Sequence, residues 1–183
     1  MNLRQKAEVF ARAAHGAVGQ VRKYNGEAYV NHCAEVAGIL VRFAEWPVSD
    51  EQVAAAWLHD TVEDTKITLS DIRDCFGADV EILVEALTDV SCPEDGNRRA
   101  RKQKDLEHTA AGPIAAKSIK LADLISNGLN IVQWDPNFGR VYLREKERIL
   151  VVCQDADPGL LREANRVLDE GLAKLGMKRY EQE

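Results

Sequence analysis

The chain has 183 residues, a net charge of -6 and 45% hydrophobic residues, enough for one substantial core but not for several large domains. The acidic balance disfavours a dedicated nucleic-acid binder, and no apolar run approaches the roughly 18 residues needed to cross a membrane. Four scattered cysteines (Cys33, Cys75, Cys92, Cys153) form no C-x-x-C pair. They read as reduced thiols, and with no leader-like pattern at the N-terminus a cytoplasmic protein is expected.

Leu3, Ala7, Phe10, Ala11 and Ala14 recur at helical spacing and predict a helix over 2–18. Residues 19–29 have no period and hold Gly19 and Gly26, so they form a loop. Its Arg22 and Lys23 suit an oxyanion, although a solvated surface pair is the plainer reading of those two alone. Asn31 is expected to cap a helix over 32–45 that opens with His32. A single histidine there is usually structural and gains meaning only from partners elsewhere. Pro47 breaks the chain, and Ser49 or Asp50 caps the next helix.

That helix runs into the densest polar cluster of the sequence, His59-Asp60-Thr61-Val62-Glu63-Asp64-Thr65, directly after the apolar stretch Val53 to Leu58. Soluble helices normally separate apolar from polar by face. Here the polar groups gather at one end, as at the mouth of a pocket. Imidazole nitrogen and carboxylate oxygen side by side can bind one cation, and Glu63 and Asp64 stand a turn further on, placed to act on its water. The plain alternative is a charged helix end in solvent. Against it, several carboxylates a turn apart repel one another, and a cation relieves that repulsion.

Short helices are expected over 68–76, stopped by Gly77, and over 78–88. A turn-rich loop covers 89–97. The basic run Arg98, Arg99, Arg101, Lys102 and Lys104 then enters a helix. It is either a solvated face or an attractor for an anionic substrate. Pro113 starts a helix to about Trp134, in which Asp123 lies among Ile119, Leu121, Ala122, Leu124 and Ile125. A buried aspartate needs a partner or a metal, so Asp123 is a further ligand candidate, with Lys120 as the alternative salt-bridge partner. Asn127 shares its face. Helices are expected over 139–153, with Arg144, Glu145, Lys146 and Glu147 exposed, and over 159–175. No catalytic cluster shows after 135, and Lys178 to Glu183 should fray. With no alternating pattern anywhere, the chain is expected to be all-α.

The residues now assembled resemble the HD-domain metal phosphohydrolases, and within them the guanosine tetraphosphate (ppGpp) hydrolases of the RelA/SpoT and small stand-alone types. Arg22-Lys23 leads to Tyr29-Val30-Asn31-His32, the cluster stands as His59 to Thr65, and Lys120-Leu121-Ala122-Asp123 is followed by Asn127. The likeness spans about residues 4 to 135. Three positions depart from the family: Ala28-Tyr29 and His32-Cys33 replace Pro-Tyr and His-Pro, and Leu124 replaces a basic residue, which bears on the identity of the nucleotide.

The resemblance implies a single HD-domain helical bundle over 1–183, with a catalytic core at about 4–135 and C-terminal helices over 136–177. It implies metal ligands His32, His59, Asp60 and Asp123 for Mn²⁺ or another divalent ion, with Glu63 and Asp64 as the water-activating pair. Arg22, Lys23 and Asn127 would contact the substrate. The implied reaction removes the 3′-pyrophosphate of ppGpp or pppGpp. A phosphatase acting on nucleoside monophosphates or NADPH, and a non-catalytic nucleotide-binding module, are the alternatives. The expected partner is a small nucleotide, with no membrane and no nucleic acid, and self-association is left open.

Overall fold

The computed structural model describes residues 1–180. Ten α-helices follow one another: α1 (Leu3–Ala17), α2 (Val30–Phe43), α3 (Asp50–Leu58), α4 (Thr61–Asp64), α5 (Leu69–Phe76), α6 (Ala78–Leu87), α7 (Arg98–Ala111), α8 (Ile114–Trp134), α9 (Pro136–Val152) and α10 (Pro158–Lys174), with a 3₁₀ turn at Pro93–Asp95. Among the described residues there is no strand, only an isolated antiparallel bridge between Val21 and Ala28. The all-α expectation therefore holds, and no helix is long and apolar enough to cross a membrane.

Side-chain chemistry sets several helix starts. Asn2 with Gln5, Ser49 with Gln52 and Thr68 with Asp71 each form a reciprocal capping box, satisfying amides that the first turn leaves free. Asn31 does not cap α2. That helix begins at Val30 behind Tyr29, with no side-chain cap, because the bridge at Val21 and Ala28 and the Tyr29 N–H bond to the Gln20 carbonyl already fix the entry. The same bridge folds the 20–29 loop into a hairpin. Gly26 takes a positive φ of 71° at its turn, a conformation open to glycine at little cost.

α8 is the central element. Ile119, Leu121, Ala122 and Leu124 are all buried, as a helix surrounded by others requires. It packs against α2, α3, α6, α9 and α10. A Cβ on Gly128 would stand 2.6 Å from Val167 Cγ1, so glycine permits the close approach of α8 and α10. Asp157, 2% exposed, ties α10 to the end of α2. Its carboxylate accepts from the amides of Gly159 and Leu160 and from those of Glu45 and Trp46.

The C-terminal segment is less free than expected. Arg179 pairs with Asp169, the Tyr180 amide donates to Glu147, and Arg144 stacks on the Tyr180 ring. Residues 181–183 lie outside the described residues.

Candidate active site

α2, the α3–α4 junction and α8 converge on one buried point. α3 stops at Leu58, His59 caps it, and Asp60 (φ -100°, ψ 0°) turns the chain into α4. The cluster is thus a broken helix, and the break aims His59 and Asp60 inward while Glu63 and Asp64 stay at the rim. The Nε2 atoms of His32 and His59 and a carboxylate oxygen of Asp123 lie within 4.8 Å of one another. Asp123 Oδ1 is 3.2 Å from His32 Nε2, and Asp60 Oδ2 is 2.9 Å from His59 Nε2 and 3.8 Å from His32 Nε2.

The tautomers follow from the neighbours. His59 Nδ1 faces the Ala56 carbonyl at 2.9 Å and must donate to it. His32 Nδ1 faces Ser126 Oγ at 3.0 Å, and that hydroxyl spends its proton on Glu35 Oε2 at 2.8 Å, so it accepts from His32. Both Nε2 atoms then carry lone pairs. They are buried without a hydrogen-bond partner, an expensive state unless something electrophilic completes them. His59 Nε2 and Asp60 Oδ2 stand 2.9 Å apart, yet no hydrogen bond of acceptable geometry joins them. Two imidazole lone pairs facing two carboxylates fit a divalent cation, and histidine ligands oriented by backbone and hydroxyl partners are the usual support for one.

Electrostatics agree. Burial alone would push the Asp60 and Asp123 carboxyls up. The His59 imidazole beside Asp60 and the His32 contact to Asp123 instead hold both well below the ordinary carboxylate range. Burial pulls His59 down, but Asp60 outweighs it and lifts the imidazole to about 9. A cation binds only the neutral imidazole, so its binding competes with a proton at His59.

At the rim, desolvation raises the Glu63 carboxyl to about 7, opposed by the Asp89 amide, which donates to Glu63 at 2.7 Å. Glu63 keeps part of its side chain in water, which screens the displacement. Asp64 is also raised, by desolvation against a bond from Gln20 at 2.9 Å. Buried His15 orients Gln20 through a 2.6 Å contact.

Arg22, Lys23 and Asn127 line one cavity that reaches His32, with Tyr24 and Trp134 on its walls. Arg22 pairs with Glu35 at 3.0 Å, so it also braces the Ser126–His32 relay. Asn127 donates to Asp123 Oδ1 at 2.6 Å; no ion pair joins Asp123 to Lys120 among the described residues. Leu124 is 2% exposed in the core and lines neither this cavity nor the metal cluster. The departure at 124 therefore changes no residue that lines this cavity.

The basic run is exposed at Arg98, Arg99 and Lys104, and three of its five members are ion-paired. Arg98 is held by Glu145, Lys102 by Asp89 and Asp105, and Lys104 by Asp95. Arg144, Glu145, Lys146 and Glu147, expected to be exposed, are instead partly buried. Tyr142 and Lys146 of α9 line a second cavity against Asp123.

The HD domain model matches residues 7–127. The chain belongs to the HD-domain family. Among its HD-domain relatives, the Mus musculus protein named guanosine-3′,5′-bis(diphosphate) 3′-pyrophosphohydrolase MESH1 is 41% identical over 117 residues, 63% of each chain. The protein of the same name from Danio rerio is 34% identical over 156 residues, 84% of this chain and 82% of that one. The matched part is thus less than two thirds of the mouse relative's length. The HD fold here also matches a solved structure described as "A metazoan ortholog of SpoT hydrolyzes ppGpp and plays a role in starvation responses", with a TM-score of 0.81 and 26% identity over 93% of this chain and 96% of the other.

Proposed function

We propose that this chain is a metal-dependent hydrolase that removes the 3′-pyrophosphate of ppGpp, and that residues 1–183 act as one catalytic unit. The observation that carries the reading is the pair of buried, unpartnered Nε2 atoms of His32 and His59 facing Asp60 and Asp123. The names of the relatives support the choice of substrate.

His32, His59, Asp60 and Asp123 would hold the cation, for which Mn²⁺ is the proposed ion. A bound divalent ion supplies an acidified water and polarises a phosphoryl oxygen. Glu63 and Asp64 would orient the attacking water and take its proton. The water oxygen bonds to phosphorus, the bond from phosphorus to the ribose 3′ oxygen breaks, and a proton goes to the departing oxygen, giving pyrophosphate and GDP. Arg22, Lys23 and Asn127 line the nucleoside side, where Trp134 and Tyr24 offer aromatic faces for a base.

The test uses metal-stripped protein resupplied with Mn²⁺ and given ppGpp, NADPH and nucleoside monophosphates. Pyrophosphate and GDP from ppGpp, lost together with metal in Asp60→Ala, is the expected result. Orthophosphate from NADPH or a monophosphate, with ppGpp untouched, overturns the substrate and keeps the metal site. Nucleotide binding without any release overturns the activity.

A further inference from the structure

The second cavity lies between α7, α8 and α9 and has a volume of about 260 Å³. That is room for several waters at ~30 Å³ each, and so for a tetrahedral oxyanion. Asp123 borders it, and so does Ile131, which also lines the nucleoside-side cavity. The two cavities therefore flank the metal cluster.

The charges of its walls are unequal in how they are met. Arg98 donates twice to Glu145 at 2.8 Å. Lys102 is bound by Asp89 and Asp105. Lys120 and Lys146 line the same space, yet neither has a carboxylate within the 4.0 Å of an ion pair among the described residues. The Lys146 ammonium stands 4.9 Å from the Tyr142 ring centroid. The Tyr142 hydroxyl is buried and has no hydrogen-bond partner. Two ammoniums of one sign and an orphaned hydroxyl are costly to hold together in a partly buried space. A multiply charged oxyanion removes all three costs at once, since each group can donate to it.

We infer that Lys120, Lys146 and Tyr142 bind the terminal phosphate of a pyrophosphoryl group whose inner phosphorus faces the metal cluster. The cavity thus selects pyrophosphoryl esters over phosphoryl esters. The assignment rests on the proposed phosphohydrolase reading for its orientation: nucleoside on the Arg22 and Asn127 side, scissile phosphorus at His32, His59, Asp60 and Asp123, terminal phosphate beyond Asp123. Lys146 and Tyr142 are then specificity residues contributed by a helix outside the span of the matched family model.

The experiment is calorimetric titration of the metal-loaded full chain with inorganic pyrophosphate and, separately, with orthophosphate. Wild type should prefer pyrophosphate. Lys146→Met should lose ~10–100-fold in pyrophosphate affinity, the range for a charged hydrogen bond, with orthophosphate and Mn²⁺ affinities unchanged. Lys146→Arg should keep most of the preference. Because no carboxylate pairs with the Lys146 ammonium, Lys146→Met should also raise the Tm of the metal-free protein. Tyr142→Phe, which preserves packing, gives the same readout if Lys146→Met does not fold. Equal affinity of wild type for the two anions, or unchanged pyrophosphate binding in both Lys146→Met and Tyr142→Phe, overturns the assignment. No turnover enters this test. A protein that binds pyrophosphate through Lys146 but leaves ppGpp intact retains the subsite and loses the proposed reaction.

Discussion

The Tyr29 hydroxyl donates a 2.6 Å hydrogen bond to Asp60 Oδ2, joining the hairpin loop to the break between α3 and α4. It is a supporting contact to a proposed ligand, and such contacts typically set metal affinity within ~10–100-fold. Tyr29→Phe keeps the ring that packs at 5.5 Å from His32. The expected outcome is an unchanged fold with Mn²⁺ affinity reduced toward the lower end of that range, measured by competition with a chelator.

Ser126 should matter as much, although it touches no substrate. It accepts from His32 Nδ1 only because its own proton goes to Glu35. Ser126→Ala removes the acceptor, frees the tautomer and should weaken the metal ~10–100-fold. Ser126→Thr keeps the hydroxyl and should recover much of the loss. Equal metal affinity in Ser126→Ala and wild type would remove the relay from the account.

Glu63 gives a pH dependence with a definite sign. As the proposed base it would act only when deprotonated, so the rate should rise with pH through about 7, and a bound cation should move that limb lower. Glu63→Gln should lose the limb and ~10²–10⁴-fold in turnover. Stability runs the other way. An acid whose pKa is raised by folding contributes stability below the ordinary carboxylate range and loses it as pH climbs through about 7. Metal-free Glu63→Gln should therefore melt higher than wild type at pH 8, with no such gain at pH 4.

Asp157 predicts a purely structural effect. Its carboxylate answers amides from two separate segments, and Asp157→Ala would leave them buried without acceptors. Losing a cap costs about 0.5–2 kcal/mol, and each stranded buried donor about 1–3 kcal/mol more. Thermal denaturation should show a fall of several degrees, while Mn²⁺ affinity at a temperature where the protein stays folded should not change.

Local signals carried most of the fold. Ser49, Thr68 and Pro113 marked helix starts correctly because caps and proline act within one turn. The cluster His59 to Asp64 was legible because its residues are neighbours, and Asp123 because a carboxylate in an apolar helix must be answered. The support was not legible. Ser126 and Glu35 lie 91 residues apart, and nothing within either helix shows that they meet. The one available hint was helical spacing, Glu35 three residues after His32 and Ser126 three after Asp123, each on its ligand's face. Lys146 misled for a related reason. A charged residue on a charged helix reads as exposed until the neighbouring helices are in place.

The Gly128–Val167 approach has a consequence for how the protein comes into being. It seats α8, which carries Asp123, against a helix made some forty residues later in the chain, and His32 and Ser126 are themselves 94 residues apart. Closing contacts so distant in sequence is slow and happens late. During synthesis the ribosome releases α2 and the cluster well before the helix that braces α8. A growing chain therefore has the side chains of the proposed metal site but no firm frame to hold them. Final packing around the proposed site is then a late event of folding.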